Sequence, residues 1–550
     1  MFPGGGHRLA SRMSDSGRSP VLVGLLFALG LAALSLLAFA VLQRGGDTPG
    51  TTAALTTTTT EPSTSPTTST TTEPGDTTTT DLPTTTSSTT TTTLVPLHEW
   101  VDRRTVGQPW GTTVTGLLTF RGNPTNSWYG TGPIPASPSV VWKYPDAPMG
   151  SSDDDGVPWT GVTWTGQPVI WQRPDGVTEL IFGATDARLH FLDPVTGAEL
   201  RDTHYVGTGG HIKGTPTLDP DGFPLIYFGA RDHRLHIVAL DQDEPVELWS
   251  VSADDEPEGR WWHDWDGSPR VVNDLLFEGC ENSFYYVWKL NRAYDADGNV
   301  TVDPELIYKL KTYDQALLDA ISPSGYMATS VENSSALFEG RVYFANSAGR
   351  VYGLDIEKML AGEDPIVFKY WVGDDVDGSI LVDQEGMLYV PVEYERYNAR
   401  AQELGQLIKL NPYEPDDPYV WGMLSITSPP YKGGMWTTPA LGDGVVYAVT
   451  NRGFLVAVDQ ETGEETWSVD IGSGAFSGPH HMSSPIVVDD RLIVATAGGT
   501  MQSYDITDPR APVLDWELTI TAGSIEATPA AWNGMIYIGS RDGFLYAVGD

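Results

Sequence analysis

The chain is poor in several residues that commonly announce a function. It has one cysteine, Cys280, in 550 residues, so no intrachain disulfide can form and no cysteine-rich metal site can be built. Cys280 reads as a small buried hydrophobe. No cysteine follows the apolar stretch near the N-terminus, which excludes the lipid anchor of a bacterial lipoprotein. Basic residues are scarce: 32 Lys and Arg stand against 72 Asp and Glu, a formal net charge of −40. A surface of that sign repels a polyanion, so nucleic acid is excluded as a partner. Helical periodicity is also thin, which steers the reading toward strands.

Residues 21–42 read VLVGLLFALGLAALSLLAFAVL, an uncharged run of 22 residues and enough for about 30 Å of hydrocarbon. Arg8, Arg12 and Arg18 precede it and only Arg44 follows closely. That bias places residues 1–20 in the cytoplasm and the bulk outside, as a single-pass plasma-membrane protein. Ala38-Phe39-Ala40 offers the rival reading of a cleaved signal peptide, but the run is longer than a usual signal core. Residues 43–97 are dominated by Thr, Ser and Pro, as in TTTTTEPSTSPTTSTTTEP. Such a segment cannot bury a core and reads as an extended stalk open to O-glycosylation. Residues 98–550 remain as the folded ectodomain, expected as a monomer.

That ectodomain repeats. Segments beginning at Thr437, Ser483 and Ala527 each run from a polar-Pro lead-in through an apolar strand, a turn, an alternating strand and a second turn such as Arg541-Asp542-Gly543. The Asp and Gly supply the conformations tight hairpins need. A fourth strand carries Trp467 or Trp516. Corresponding points are Pro168, Pro216, Pro269, Ser335, Ile380, Pro439, Pro485 and Pro529, spaced 44 to 66 residues apart. This is a propeller-blade period with insertions. The expected fold is all-β: an eight-bladed propeller of four-stranded antiparallel blades. The eighth unit stops at Asp550 without its Trp-bearing strand, while Val140-Val141-Trp142-Lys143-Tyr144 precedes the first unit as an orphan of that type. The N-terminal strand is therefore expected to complete the last blade and remove the open edge. TFRGNPTNSWYGTGP, just before it, is expected to pack across the propeller.

The motif VAVDQETGEETW at 456–467, its Trp-less version FLDPVTG at 191–197, and Ala239-Leu240-Asp241 with Trp249 resemble the docking motif of quinoprotein-like propeller repeats. Members of that family include pyrroloquinoline-quinone (PQQ) alcohol dehydrogenases and the β-barrel assembly lipoprotein. In the dehydrogenases a Glu and an Asn bind Ca²⁺, an Asp acts as base and a Trp stacks under the quinone. The resemblance offers Glu332, Asn333, Asp377 and Trp436 for those roles. The adjacent-cysteine disulfide of the alcohol dehydrogenase branch is impossible with Cys280 alone, which weakens the PQQ reading.

In a propeller the loop before each inner strand opens onto one mouth of the channel. Lys213, Asp266, Glu332, Asp377, Trp436, Met482 and Glu526 stand at that place in successive units. Their carboxylates suit a hard cation such as Ca²⁺, or equally a hydrated charged ring. The same loops carry Trp159, Trp164, Trp261, Trp262, Trp265 and Tyr431. These are either recognition aromatics or caps on the blade cores. His263 reads as a loop histidine. Asp295 to Asp303, DADGNVTVD, reads as a hairpin turn, since its spacing does not match a calcium loop. The function expected first is a non-catalytic binding or scaffold protein at the cell surface, taking a protein or glycan of the envelope. A PQQ- and Ca²⁺-dependent dehydrogenase and an envelope-assembly scaffold are the alternatives.

Overall fold

Where an alternating apolar pattern meets a tight turn every few residues, the chain folds back on itself, and here it does so in eight successive antiparallel sheets. The computed structural model describes residues 101–111, 113–152, 156, 158–429, 431–472 and 481–550. Residues 1–20, 21–42 and 43–97, expected from the sequence as a cytoplasmic tail, a membrane segment and a Thr-rich stalk, lie outside the described residues. Among the described residues no helix is long and apolar enough to cross a membrane.

Blade 1 runs from Val169–Gln172 to His204–Tyr205, blade 2 from Thr217–Leu218 to Val246–Ser252, and blade 3 from Arg270–Val272 to Glu305–Lys311. Blade 4 spans Ala336–Phe338 to Ile366–Trp371 and blade 5 Leu381–Val382 to Tyr419–Met423. Blade 6 spans Ala440–Leu441 to Glu465–Asp470, and blade 7 Ile486–Val488 to Val513–Thr519. Blade 8 has three strands of its own, Ala530–Trp532, Met535–Gly539 and Leu545–Gly549. Its fourth is the N-terminal Ser139–Tyr144, antiparallel with Val140 opposite Val548 and Tyr144 opposite Leu545. Joining the two ends of the repeat in one sheet pairs the edge that Leu545–Gly549 would otherwise leave open and closes the ring of blades.

The tryptophans bind blade to blade. Trp142 Nε1 donates to Pro194 O at 3.2 Å and its ring lies on Gly197, where any Cβ would come within 2.8 Å of it. Trp421 treats Gln460 O and Gly463 in the same way. The Thr-Gly turn of one blade thus receives the tryptophan of the blade before it, and both glycines have positive φ that favours glycine independently. In seven of the eight blades the outer strand slips register by one residue beside this position, a bulge that re-aims the side chain.

A second device ties the inner strands. The backbone N–H of Gln167 donates to Thr215 Oγ1, Thr215 to Ser268 Oγ, Ser268 to Ser334 Oγ, Ser334 to Ser379 Oγ, Ser379 to Thr438 Oγ1 and Thr438 to Ser484 Oγ, all between 2.9 and 3.2 Å. This is the physical reason for the polar residue in the polar-Pro lead-in: each hydroxyl satisfies a buried donor of the neighbouring blade.

The channel is filled by the chain's own residues 115–131. Thr115–Leu117 adds antiparallel to the inner strand of blade 1, and Gly130–Thr131 runs parallel to that of blade 8. Between them, the carbonyls of Leu118, Pro124 and Thr125 accept from Leu218, Leu337 and Val382 in blades 2, 4 and 5. The Arg270 guanidinium of blade 3 donates to Asn126 Oδ1. Arg121 reaches Pro485 O at 2.5 Å and Pro439 O at 2.7 Å, in blades 7 and 6. The segment expected only to cross the propeller is a plug bonded to all eight blades.

Candidate functional site

The residue two places before each hydroxyl acceptor of the series, and before Thr528 at the equivalent point of blade 8, faces one mouth of the channel. Lys213, Asp266, Glu332, Asp377, Trp436, Met482 and Glu526 occupy that place, and they line one pocket of about 220 Å³ with Trp159, Thr163, Trp164 and Arg541. The repeat therefore brings these side chains together by construction.

The charges form three groups. Lys213 pairs with Asp266, and its Nζ stands 3.5 Å from Asp264 and 3.6 Å from Glu281, while Arg231 reaches Asp264 at 2.8 Å. Burial alone lowers the Lys213 pKa, but these three carboxylates outweigh it and raise it. The ammonium is locked in its charged form. At blade 8 Arg541 holds Glu526 at 3.0 Å, and Thr163 Oγ1 donates to the same carboxylate at 2.6 Å. The third group is Asp375, Asp377 and Glu393, whose carboxylate oxygens lie within 4.8 Å of one another. Burial, followed by their mutual repulsion and that of Glu395 and Glu332, pushes all three well above the usual carboxylate range. Glu332 itself accepts from Ser330 at 2.6 Å and Ser347 at 3.1 Å.

Some expected site residues lie elsewhere or play other parts. Asn333 is not in the pocket lining. Its amide nitrogen donates to Ala345 O and Val376 O, both at 2.8 Å, and its Oδ1 accepts from Ala345 N. It is a strap between blades 4 and 5, with its amide consumed by backbone, and it does not fit the ion-binding Asn of a quinone site. Trp265 is 1% exposed, donates to His233 O and packs on Tyr286 and Trp288. It caps a blade core and presents no recognition surface. Trp164, at 9%, forms pocket wall. Trp159 lies beneath both Arg231 and Arg541 at 5.2 and 5.0 Å, and Lys432 sits 5.1 Å from the Trp436 ring. Trp261, Trp262 and Tyr431 are exposed at 43%, 51% and 39%. Trp261 packs edge-on against Tyr326, and Arg396 lies 4.5 Å from the Tyr326 ring, so this aromatic patch adjoins the charged mouth. Asp295 to Asp303 spans the outer part of a hairpin, Ala293–Tyr294 with Val300–Thr301.

Sequence reasoning missed Asp264, Glu281, Asp375, Glu393, Arg231 and Arg541. A signal for four of them was present: Asp264-Trp265-Asp266-Gly267-Ser268 and Asp375-Val376-Asp377-Gly378-Ser379 are the same Asp-x-Asp-Gly-Ser motif, and in both blades a glutamate follows the next strand.

Fold and mouth together define an eight-bladed β-propeller with a charged channel mouth, whose repeat is similar to that of quinoprotein-like propellers. Residues 409–549 match the family described as outer membrane protein assembly factor BamB. No curated protein matches the sequence. Among solved structures, quinohemoprotein alcohol dehydrogenase from Comamonas testosteroni is 13% identical, with 79% of this chain and 80% of that one covered at a TM-score of 0.50. BamB from Moraxella catarrhalis is 13% identical over 75% of this chain and 100% of its own, at 0.46. Quinohemoprotein alcohol dehydrogenase ADHIIG from Pseudomonas putida HK5 is 12% identical over 79% and 80%, at 0.49. What is shared with the Comamonas testosteroni structure at 13% identity is the fold.

Proposed function

We propose that the chain is a non-catalytic binding and display protein of the cell surface, held by the apolar segment at 21–42 and raised on the Thr-rich stalk. Its partner is a protein or glycan of the envelope, taken on the rim of the charged mouth. The observation that carries this reading is the exposed Trp261–Trp262 pair beside Tyr326, on a rigid ring whose channel is filled by the chain itself. Large aromatics left in water at a pocket rim are the usual anchors of recognition. The quinone reading lacks support at Asn333, whose amide is spent on backbone.

The test is cross-linking in intact cells with the full chain and a Trp261→Ala/Trp262→Ala variant. The expected outcome is a partner captured by the parent and lost, by roughly tenfold or more, in a variant of unchanged thermal midpoint. Equal capture by both would contradict the reading.

A further inference from the structure

Blades 3 and 5 carry the same carboxylate triad at equivalent places. In blade 3 it is Asp264, Asp266 and Glu281; in blade 5 it is Asp375, Asp377 and Glu393. The hydroxyl ring fixes the equivalence: Asp266 and Asp377 each stand two residues before Ser268 and Ser379, which accept the same inter-blade hydrogen bond. What differs is the side chain that the preceding blade supplies. Blade 2 offers Lys213, two residues before Thr215, and Arg231, two residues past the strand Leu225–Gly229; both ion-pair with the blade 3 triad. At the equivalent places blade 4 offers Glu332, two residues before Ser334, and Ser347, two residues past Arg341–Ala345. Where the first triad receives two cations, the second receives a carboxylate and a hydroxyl.

The remaining neighbours do not close the balance. Arg396 stands 3.3 Å from Asp374 and from Asp375, and Lys432 pairs with Glu395. Asp374, Asp375, Asp377, Glu393, Glu395 and Glu332 thus face Arg396 and Lys432, with Lys213 of blade 2 acting on Glu332 alone. Asp375 Oδ1, Asp377 Oδ1 and Glu393 Oε2 are buried and accept from no donor outside the triad, although Glu393 is 1% and Asp375 3% exposed. Carboxylates gathered at that depth are costly to ionise unless a cation meets them. Asp377 also lines the mouth pocket, which gives an ion a route in and room for coordinating water.

We propose that Asp375, Asp377 and Glu393 bind one hard divalent cation, calcium by preference, in the place that the Lys213 ammonium fills in blade 3. Three carboxylates, each able to bind through one or both oxygens, match the oxygen-rich, geometrically tolerant shell of calcium better than the strict octahedron of magnesium. The inference does not depend on the recognition role of the aromatic rim, and its failure would leave that role untouched.

The experiment is calorimetric titration of the purified, chelator-washed full chain with CaCl₂, alongside thermal melts with and without Ca²⁺. The expected result is one Ca²⁺ per chain with Kd below about 1 mM, and a thermal midpoint that rises with added Ca²⁺. Glu393→Gln weakens binding by about 100-fold, as expected when an anionic ligand is removed, and Asp264→Asn leaves it unchanged. Glu332→Lys, which gives blade 5 the ammonium that blade 3 has, folds, melts no lower than the Ca²⁺-free parent and no longer binds Ca²⁺. The proposal is overturned by no saturable binding at about 10 mM Ca²⁺, which would mean that the triad shares protons instead. It is overturned equally by binding that survives both Glu393→Gln and Glu332→Lys, or by a Glu332→Lys chain that does not fold.

Discussion

At the residue scale, the mouth is governed by burial acting on charge. Glu278 and Glu281 beside the Lys213 group are buried, and burial, ahead of every neighbour, holds both well above the usual carboxylate range. An acid whose pKa is higher folded than unfolded binds more protons in the folded state. Its stabilising contribution is full below the unfolded value, about 4.3, and is lost as pH rises through the folded value. In the presence of a chelator, the thermal midpoint is therefore expected to rise as pH is lowered from about 7 to about 5. A midpoint that fell steadily over that range would contradict the assignment. The same residues show where sequence reading stopped. The one-per-blade mouth residues were legible because they recur at a fixed place before each inner strand. Their grouping into a filled and an unfilled triad was not, because Glu281 and Glu393 come from a different strand and join only when the blades twist them inward. Asn333 was misread for a related reason: its residue type suits a ligand, but its backbone neighbours claim it first.

At the element scale, the strands and their turns were legible from alternation and from Asp and Gly placement, and the closing strand from Trp142 and the missing strand after Val548. The plug was not. Residues 115–131 have neither period 2 nor period 3.6, since they satisfy their polar groups against eight different blades. Arg121 shows how the plug is held. Its guanidinium is buried, its pKa is pushed down to about 10 by burial, and two of its nitrogens bond carbonyls of adjacent blades. Arg121→Ala leaves both carbonyls without that donor and is expected to cost about 3–5 kcal/mol, read as a lower urea midpoint with an unchanged slope. A loss under about 0.5 kcal/mol would mean that the plug is ornamental to stability.

At the scale of the whole molecule, the segment that precedes the first blade does two jobs in sequence. Residues 115–131 fill the channel, and Ser139–Tyr144 closes the ring against Leu545–Gly549. The mouth, both triads and the aromatic rim keep their geometry because the plug bonds to all eight blades, the hydroxyl series joins blades 1 to 7, and the N-terminal strand completes blade 8. Closure is the premise on which the positions of all these groups rest, and it can be tested directly. Val140 and Val548 oppose each other across the closing pair, and the native Cys280 is buried. A Val140→Cys/Val548→Cys chain is predicted to form an intramolecular disulfide under mild oxidation and to melt higher oxidised than reduced. Two free thiols persisting at these positions in the folded, oxidised protein would contradict the ring.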